Sequence, residues 1–437
     1  MRRVSTEDLR ERVRRIPGME RLLAELAGLP PTYLVGGAVR DLLLGSEALD
    51  LDLAVEGDAR AVARELARRL GGDVVQHDRF GTATVRAGDL TVDLATTRRE
   101  RYPRPGALPE VEPASLAEDL RRRDFTINAM AVALRGDELG HLHDPFGGLE
   151  DLRRGLIRVL HDQSFIDDPT RLLRALRYES RLGFALEPET ERLAREAAAR
   201  SVLRLVSGPR VRDELLPLLE EIELIPRALR RMRELGLDRS LHPALTADPQ
   251  LAADAALAAD VVGASRRLSA LAALLARDPE AAREWLEELG LRAPEREAVQ
   301  RAARHGRQLA TLLGIGELRP SQVYELLAPE PPEALAVALA LGAPQRPIVD
   351  FVERLRPVRL EIGGEDLRAA GIPESPAIGA ALREVLRRKL DGEISGREDE
   401  LRLALEVARR AQEAGAHERQ RGMGGESETV PGEGGDE

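Results

Sequence analysis

Asp50 and Asp52 stand two residues apart in Leu49-Asp50-Leu51-Asp52-Leu53, a stretch that alternates apolar and acidic residues. A period of two predicts a strand and puts both carboxylates on one face. Side-by-side carboxylates repel, so the pair is costly unless a cation neutralises it. Oxygen donors suit a hard divalent ion, and with triphosphate substrates that ion is Mg²⁺. Ahead of the pair, Tyr33-Leu34-Val35 predicts a short buried strand that ends at Gly36-Gly37. Ala38 to Leu44 predicts a short helix closed by Gly45. Bare N–H groups where that helix begins, at the glycine pair, favour an anion. An Asp-x-Asp alone is usually a solvent-facing strand. Joined at this spacing to a glycine pair and to Arg40-Asp41, it specifies a site for metal-assisted nucleotidyl transfer.

Gly-Gly-Ala-Val-Arg-Asp at 36–41, followed by Asp-Leu-Asp at 50–52, resembles the first signature of the class II tRNA nucleotidyltransferases and bacterial poly(A) polymerases. These belong to the DNA polymerase β-like nucleotidyltransferases. Arg-Arg-Asp-Phe-Thr-Ile-Asn-Ala at 122–129 is similar to the family's second signature. The resemblance implies an α+β fold: a head with a mixed sheet and helices, followed by an all-helical neck, body and tail. It implies that Asp50, Asp52 and Asp93 are the catalytic, metal-binding carboxylates, with Mg²⁺ as cofactor. Asp93 lies in the second strand of an expected hairpin, Gly81 to Arg86 and Leu90 to Leu94 about the turn Ala87-Gly88-Asp89. Gly36, Gly37 and Arg40 would bind the nucleotide, as would Asn128. Arg123 and Asp124 look like the pair that contacts the ribose, since a carboxylate accepts a hydrogen bond from a 2′-OH.

Ser164 to Arg177 holds Asp167-Asp168-Pro169-Thr170-Arg171. Asp168 is placed as a helix N-cap with Pro169 first in the helix. Arg171, Arg174 and Arg177 fall near one face of that helix. By resemblance Asp167, Asp168 and Arg171 form a protein template that reads the incoming base, with Arg174 and Arg177 also binding the nucleotide. Arginine offers donors and carboxylate acceptors, which together complement cytosine or adenine. Asp167 stands where the family commonly has glutamate, and the shorter arm bears on base choice. Thr96 to Pro113, with four arginines and four prolines, is long for a connector. The family carries there a flexible loop that affects which nucleotide is added. Val206 to Leu215 resembles the family's last signature, in which Arg210, Arg212 and Glu214 would brace the neighbouring helix.

At 437 residues the chain is too long for one ordinary core. The expected divisions are an N-terminal helical segment (1–30), the head (31–148), the neck with the recognition helix (149–221), a helical body (222–345), a tail (346–412) and a disordered end (413–437). That last segment is rich in Gly, Glu and Ser. No cysteine is present, which excludes disulfides, thiolate nucleophiles and zinc–cysteine sites. No apolar run approaches the length of a membrane span, so a cytoplasmic protein is expected. His242 and His305 are isolated in the body, so no metal phosphohydrolase site is expected there.

The net charge of −11 would argue against a nucleic-acid partner, but a local patch is what binds a phosphate backbone. The cluster Arg387, Arg388 and Lys389 (the last the only lysine) is the expected RNA contact in the tail. The implied function is template-independent addition of CMP and AMP, from CTP and ATP, to the 3′ end of tRNA. CC-adding, A-adding and poly(A)-polymerase activities are the alternatives within the family. A non-catalytic RNA-binding relative would need a damaged metal site, whereas all three aspartates are present. A β-type repair polymerase would need duplex-binding modules, which the helical second half does not suggest.

Overall fold

The computed structural model describes residues 5–46, 50–77, 81–245 and 248–423. Two helices open the chain, α1 (Thr6–Arg15) and α2 (Met19–Glu25), parted at Pro17-Gly18. Ser5 and Asp8 cap α1 reciprocally, satisfying N–H groups that the first turn leaves bare. The head follows as β1 (Thr32–Val35), α3 (Gly37–Leu44), β2 (Leu51–Val55), α4 (Ala59–Leu70), β3 (Asp73–His77), β4 (Thr82–Ala87) and β5 (Leu90–Thr96). Next come β6 (Arg98–Arg101), β7 (Glu110–Pro113), α5 (Leu116–Arg121), β8 (Ala131–Ala133) and β9 (Leu142–His143). The main sheet has the order β3-β4-β5-β2-β1-β8-β9. Only β2 and β5 run parallel; the other neighbours are antiparallel. A parallel pair needs a crossover, and α4 with the β3–β4 hairpin supplies it.

The alternation in β2 and β5 divides the sheet faces. Leu51, Leu53, Val92 and Leu94 are buried on one side, while Asp52 and Asp93 project from the other. The α4 side chains Val62, Ala63, Leu66 and Leu70 are buried as that helix packs on β3, β4 and β5. On the face that carries Asp52, α5 covers Tyr33, Val35, Ala54, Ala131 and Ala133 with Leu116 and Leu120. This helix delivers the segment Arg122 to Asn128 to the end of β1. Each of its apolar contacts therefore also places chemistry-bearing residues.

Three expectations for the head need correction. Ile127 to Leu134 is not one strand: Thr126–Asn128 forms a single 3₁₀ turn, and only Ala131–Ala133 pairs. Asn128 is held inward by Asp124 and Arg40, which bends the backbone away from a strand. Thr96 to Pro113 is not an irregular loop throughout. Arg98–Arg101 and Glu110–Pro113 pair as an antiparallel ribbon, with Arg99 on Glu112 and Arg101 on Glu110 across it. Strand β3 was not expected, because its Asp-Val-Val-Gln-His pattern at a sheet edge leaves even Val75 exposed. Leu49, expected in β2, lies outside the described residues; the strand begins at Leu51.

The neck holds α6 (Gly148–Arg154), β10 (Leu156–Ile157), α7 (Ser164–Asp167), α8 (Thr170–Leu182), β11 (Ala185–Leu186), α9 (Pro188–Ala199) and α10 (Gly208–Leu215). The rest of the described chain is helical. No helix is long and apolar enough, among the described residues, to cross a membrane. The chain packs as two compact units, residues 5–256 with 266–300, and residues 257–265 with 301–423. The boundaries expected at 148 and 221 fall inside the first unit, and that at 345 inside the second.

The second unit has its own core, in which Leu367, Val385, Ala404 and Ala408 are buried. Its helix Pro376–Leu390 carries the cluster expected to bind RNA, and there every cation has carboxylate partners. Arg387 pairs with Glu384, Arg388 with Glu384 and Glu393, and Lys389 with Glu361 and the fully buried Glu400. The last helix runs from Gly396 to Met423, past Glu413 where disorder was expected to begin. Residues 424–437 of that expected segment lie outside the described residues.

Candidate active site

Parallel pairing of β2 with β5 sets Asp52 directly opposite Asp93. The hydroxyl of Thr84 on β4 donates to Asp93. Asp50 lies just before β2 and is exposed on the same side as Asp52. Asp52 remains in contact with solvent, yet crowding by surrounding protein pushes its carboxyl up to about 6, and the charges of Asp93 and Asp50 add to this against the pull of Arg123. These donors are all oxygens carrying excess negative charge, which fits a hard divalent cation. Among the described residues, no three acidic or histidine side chains converge into a ready ligand set.

The turn at Gly36 meets this pair through Arg123. Gly36 has φ 68° and ψ −130°, and a Cβ there would lie 2.6 Å from Nη1 of Arg123. Asp119 holds the same guanidinium, its oxygen 3.0 Å from Nη2. The N–H of Gly36 donates to the carbonyl of Met130, so this glycine supplies the bend, and α3 opens beyond it. Arg40, buried on α3, donates to both oxygens of Asp41 and, at 2.8 Å, to Oδ1 of Asn128. Asn128 in turn donates to Asp124 at 3.0 Å.

Asp124 is buried and accepts two hydrogen bonds from Arg174, at 2.8 and 2.7 Å. Burial alone would raise its pKa; Arg174 and Asn128 outweigh it and hold the carboxyl below the usual range. Glu214 on α10 takes Arg174 and Arg177 together, at 3.2 and 3.0 Å. Asp168 accepts from Thr170 N–H at 3.1 Å, the expected cap, and from Arg210 at 2.8 Å. The bracing expected of Arg210 and Glu214 is therefore present. Arg212 instead pairs with its neighbour Asp213.

These groups surround a cavity of about 770 Å³. Gly36, Gly37, Arg40, Asp50 and Asp52 line it, with Arg123, Asp124 and Asn128 from the second signature and Asp168, Arg171, Arg174 and Arg177 from the neck. Asp167 does not line it; its backbone carbonyl accepts from Gly106 N–H at the ribbon tip. Arg171 reaches the cavity but is buried, with its guanidinium donating to Ser164 and to the carbonyl of Arg122. The tail residues Arg387, Arg388 and Lys389 are not among the lining residues.

The cavity also includes residues that sequence reasoning missed. Arg98, Glu100 and Tyr102 come from the ribbon and its tip, and Tyr178 and Arg181 from α8. Helical spacing carried a signal for the last two, since Arg171, Arg174, Tyr178 and Arg181 recur on one face of α8. Glu100 carried none: it is deeply buried because Arg98 and Arg122 both bind it, a pairing set by the fold.

The conformation of Gly36 is accessible to few residues other than glycine. Gly36→Ala should cost about 1–3 kcal/mol, the usual strain of a disfavoured backbone conformation. Denaturant unfolding measures it, and an unchanged midpoint would contradict the tight contact with Arg123.

Comparison with known proteins agrees with this geometry. Residues 32–158 match the poly A polymerase head domain, and residues 183–248 match the probable RNA and SrmB-binding site of polymerase A. The chain is 38% identical over 398 residues to an A-adding tRNA nucleotidyltransferase of Geobacter sulfurreducens, covering 86% of this chain and 45% of that protein. It is 35% identical over 369 residues to a CC-adding tRNA nucleotidyltransferase of Deinococcus radiodurans, covering 84% of this chain and 87% of that protein. The structure of the Thermotoga maritima CCA-adding enzyme complexed with tRNA superimposes with a TM-score of 0.71 at 33% identity, covering 92% of this chain and 98% of that one. The chain thus spans less than half the length of the Geobacter relative and nearly all of the Deinococcus and Thermotoga proteins. With these matches over its length and the signatures gathered around one cavity, the chain belongs to the family of tRNA nucleotidyltransferases and poly(A) polymerases.

Proposed function

We propose that this chain transfers CMP and AMP, from CTP and ATP, to the 3′ end of tRNA and so builds or repairs its CCA terminus in the cytoplasm. The observation that carries the reading is the register of Asp52 against Asp93, beside a cavity walled by guanidinium groups. The relatives support it: their names describe A addition and CC addition, and solved neighbours are CCA-adding enzymes with CTP, with ATP and with tRNA.

In this reading the opening of α3 at Gly37, with Arg40, Arg174 and Arg177, grips the triphosphate. Asp124 and Arg123 orient the ribose. Asp168 and Arg171 read the base, with Asp167 setting the reach of the segment before α8; Arg171 must then exchange a protein acceptor for the base. The 3′ oxygen of the tRNA forms a bond to the α-phosphorus, the bond from that phosphorus to the bridging oxygen breaks, and pyrophosphate leaves. The proton of the 3′-OH passes to a carboxylate of the aspartate set. Asp50, Asp52 and Asp93 would hold Mg²⁺, which when bound neutralises the triphosphate and makes the hydroxyl a better nucleophile.

Incubation of the protein with tRNA truncated before each position of the CCA end, and with one nucleotide at a time, tests the reading. The expected products are CMP additions to the tRNA lacking CCA and an AMP addition to the tRNA ending in CC. Only one of these activities would make it a CC-adding or an A-adding enzyme, and long adenylate tails would make it a poly(A) polymerase.

The proposal extends to the tail, where Arg387, Arg388 and Lys389 would contact the tRNA backbone in exchange for some of their carboxylate partners. Replacing Arg387 and Arg388 with alanine should flatten the dependence of log affinity on log salt by about 1. An unchanged slope would confine these residues to the tail's own ion pairs.

A further inference from the structure

Tyr178 has no role in the proposal above, yet three of its guanidinium groups gather around this one ring. The guanidinium carbons of Arg40, Arg174 and Arg177 lie 5.2, 5.7 and 5.7 Å from the ring centroid. Arg174 also donates to the phenol oxygen at 3.0 Å. The ring is held edge-on by buried Phe125, with centroids 5.8 Å apart and planes at 88°. Arg40 comes from α3, Arg174 and Arg177 from α8, and Phe125 follows directly on Asp124. Tyr178 therefore sits where the glycine turn, the second signature and the neck helix meet.

Three like charges converging on one cavity repel one another. Asp41, Asp124 and Glu214 each hold one or two of them, but these carboxylates come from three separate elements. The ring is the group that all three cations share. An aromatic face attracts a cation within about 6 Å of its centroid and, unlike another carboxylate, adds no net charge to compete with an anionic ligand.

We propose that Tyr178 is a positioning residue for the triphosphate: its ring and hydroxyl keep Arg40, Arg174 and Arg177 converged on one polyphosphate site. This rests on the nucleotidyl-transfer reading. Tyr178 touches the arginines, and the arginines touch the phosphates. The base is read elsewhere, so CTP and ATP depend on Tyr178 equally.

Binding of inorganic tripolyphosphate, measured by calorimetry on wild type and on Tyr178→Phe and Tyr178→Leu, tests this. The same measurement is made with a tetrafluorinated phenylalanine incorporated at position 178, which keeps the ring but empties its face of negative charge. Losing the cation–π contacts in Y178L and in the fluorinated protein should weaken tripolyphosphate binding roughly tenfold. KM for CTP and for ATP should rise by the same factor, with kcat nearly unchanged. Y178F keeps the ring and should stay within roughly threefold of wild type, the share of one neutral hydrogen bond. Unchanged tripolyphosphate affinity in the fluorinated protein would overturn the proposal. A rise in KM confined to CTP or to ATP would also overturn it, because the ring would then face a base. If Y178L fails to fold, the fluorinated ring decides. Tripolyphosphate binding needs neither RNA nor chemistry, so it tests the arginine cluster even if the protein adds no nucleotide.

Discussion

The site depends on holding two like charges together. Asp52 and Asp93 are drawn opposite each other by a parallel β2–β5 pair, and nothing about the carboxylates themselves favours that closeness. What enforces it is on the other face of the sheet, where Leu53 and Leu94 are buried under the helical layer. Each such side chain contributes about 1.5–3 kcal/mol by burial, more than an exposed charge repulsion costs. The strands bring the aspartates together because their backs are apolar, and the uncompensated charge on their fronts becomes affinity for a cation.

The same logic with the opposite sign operates in the rest of the cavity. Arg40, Arg123, Arg174 and Arg177 are brought close and each is given a carboxylate, on α3 for the first, on α5 for the second, and in the second signature and α10 for the others. Buried ion pairs of this kind add little net stability, because desolvation consumes much of the Coulomb gain. Breaking one is costly, since it leaves a buried charge alone. Their effect is geometric: Asp124 and Glu214 fix the direction of Arg174 from two sides, and Asp168 is fixed in the same way between its helix cap and Arg210. Head and neck are thus tied by polar bonds at the cavity, where the ribbon tip also docks through Gly106.

Much of this was legible because local patterns carried it. The Leu-Asp alternation marks β2, the glycine pair marks the turn before α3, and Ser5 with Asp8 marks the start of α1. The second signature located the arginine and carboxylate of the cavity wall. What was illegible depends on partners distant in sequence. The ribbon within 96–113 forms because Arg99 finds Glu112 and Arg101 finds Glu110, which prolines and a glycine in the same stretch obscure. Ile127 looks like strand in an apolar run, but Asn128 beside it is claimed by Arg40, 88 residues away. Arg387 to Lys389 look like a free basic patch until Glu384, Glu393 and Glu400 are seen around them. Tyr178 was passed over because one aromatic residue in a helix most often fills a core, and only the three arginines around it show otherwise.

The central claim is that the crowded aspartates form a cation site. Titration with Mn²⁺, followed by electron paramagnetic resonance, measures it directly on wild type and on Asp52→Asn, which keeps the shape and removes one charge. The account predicts a site in the wild type and at least tenfold weaker binding in the variant, the loss of roughly 1.4 kcal/mol or more expected when one charged ligand is removed. Equal affinity in the two proteins, with both folded, would contradict it.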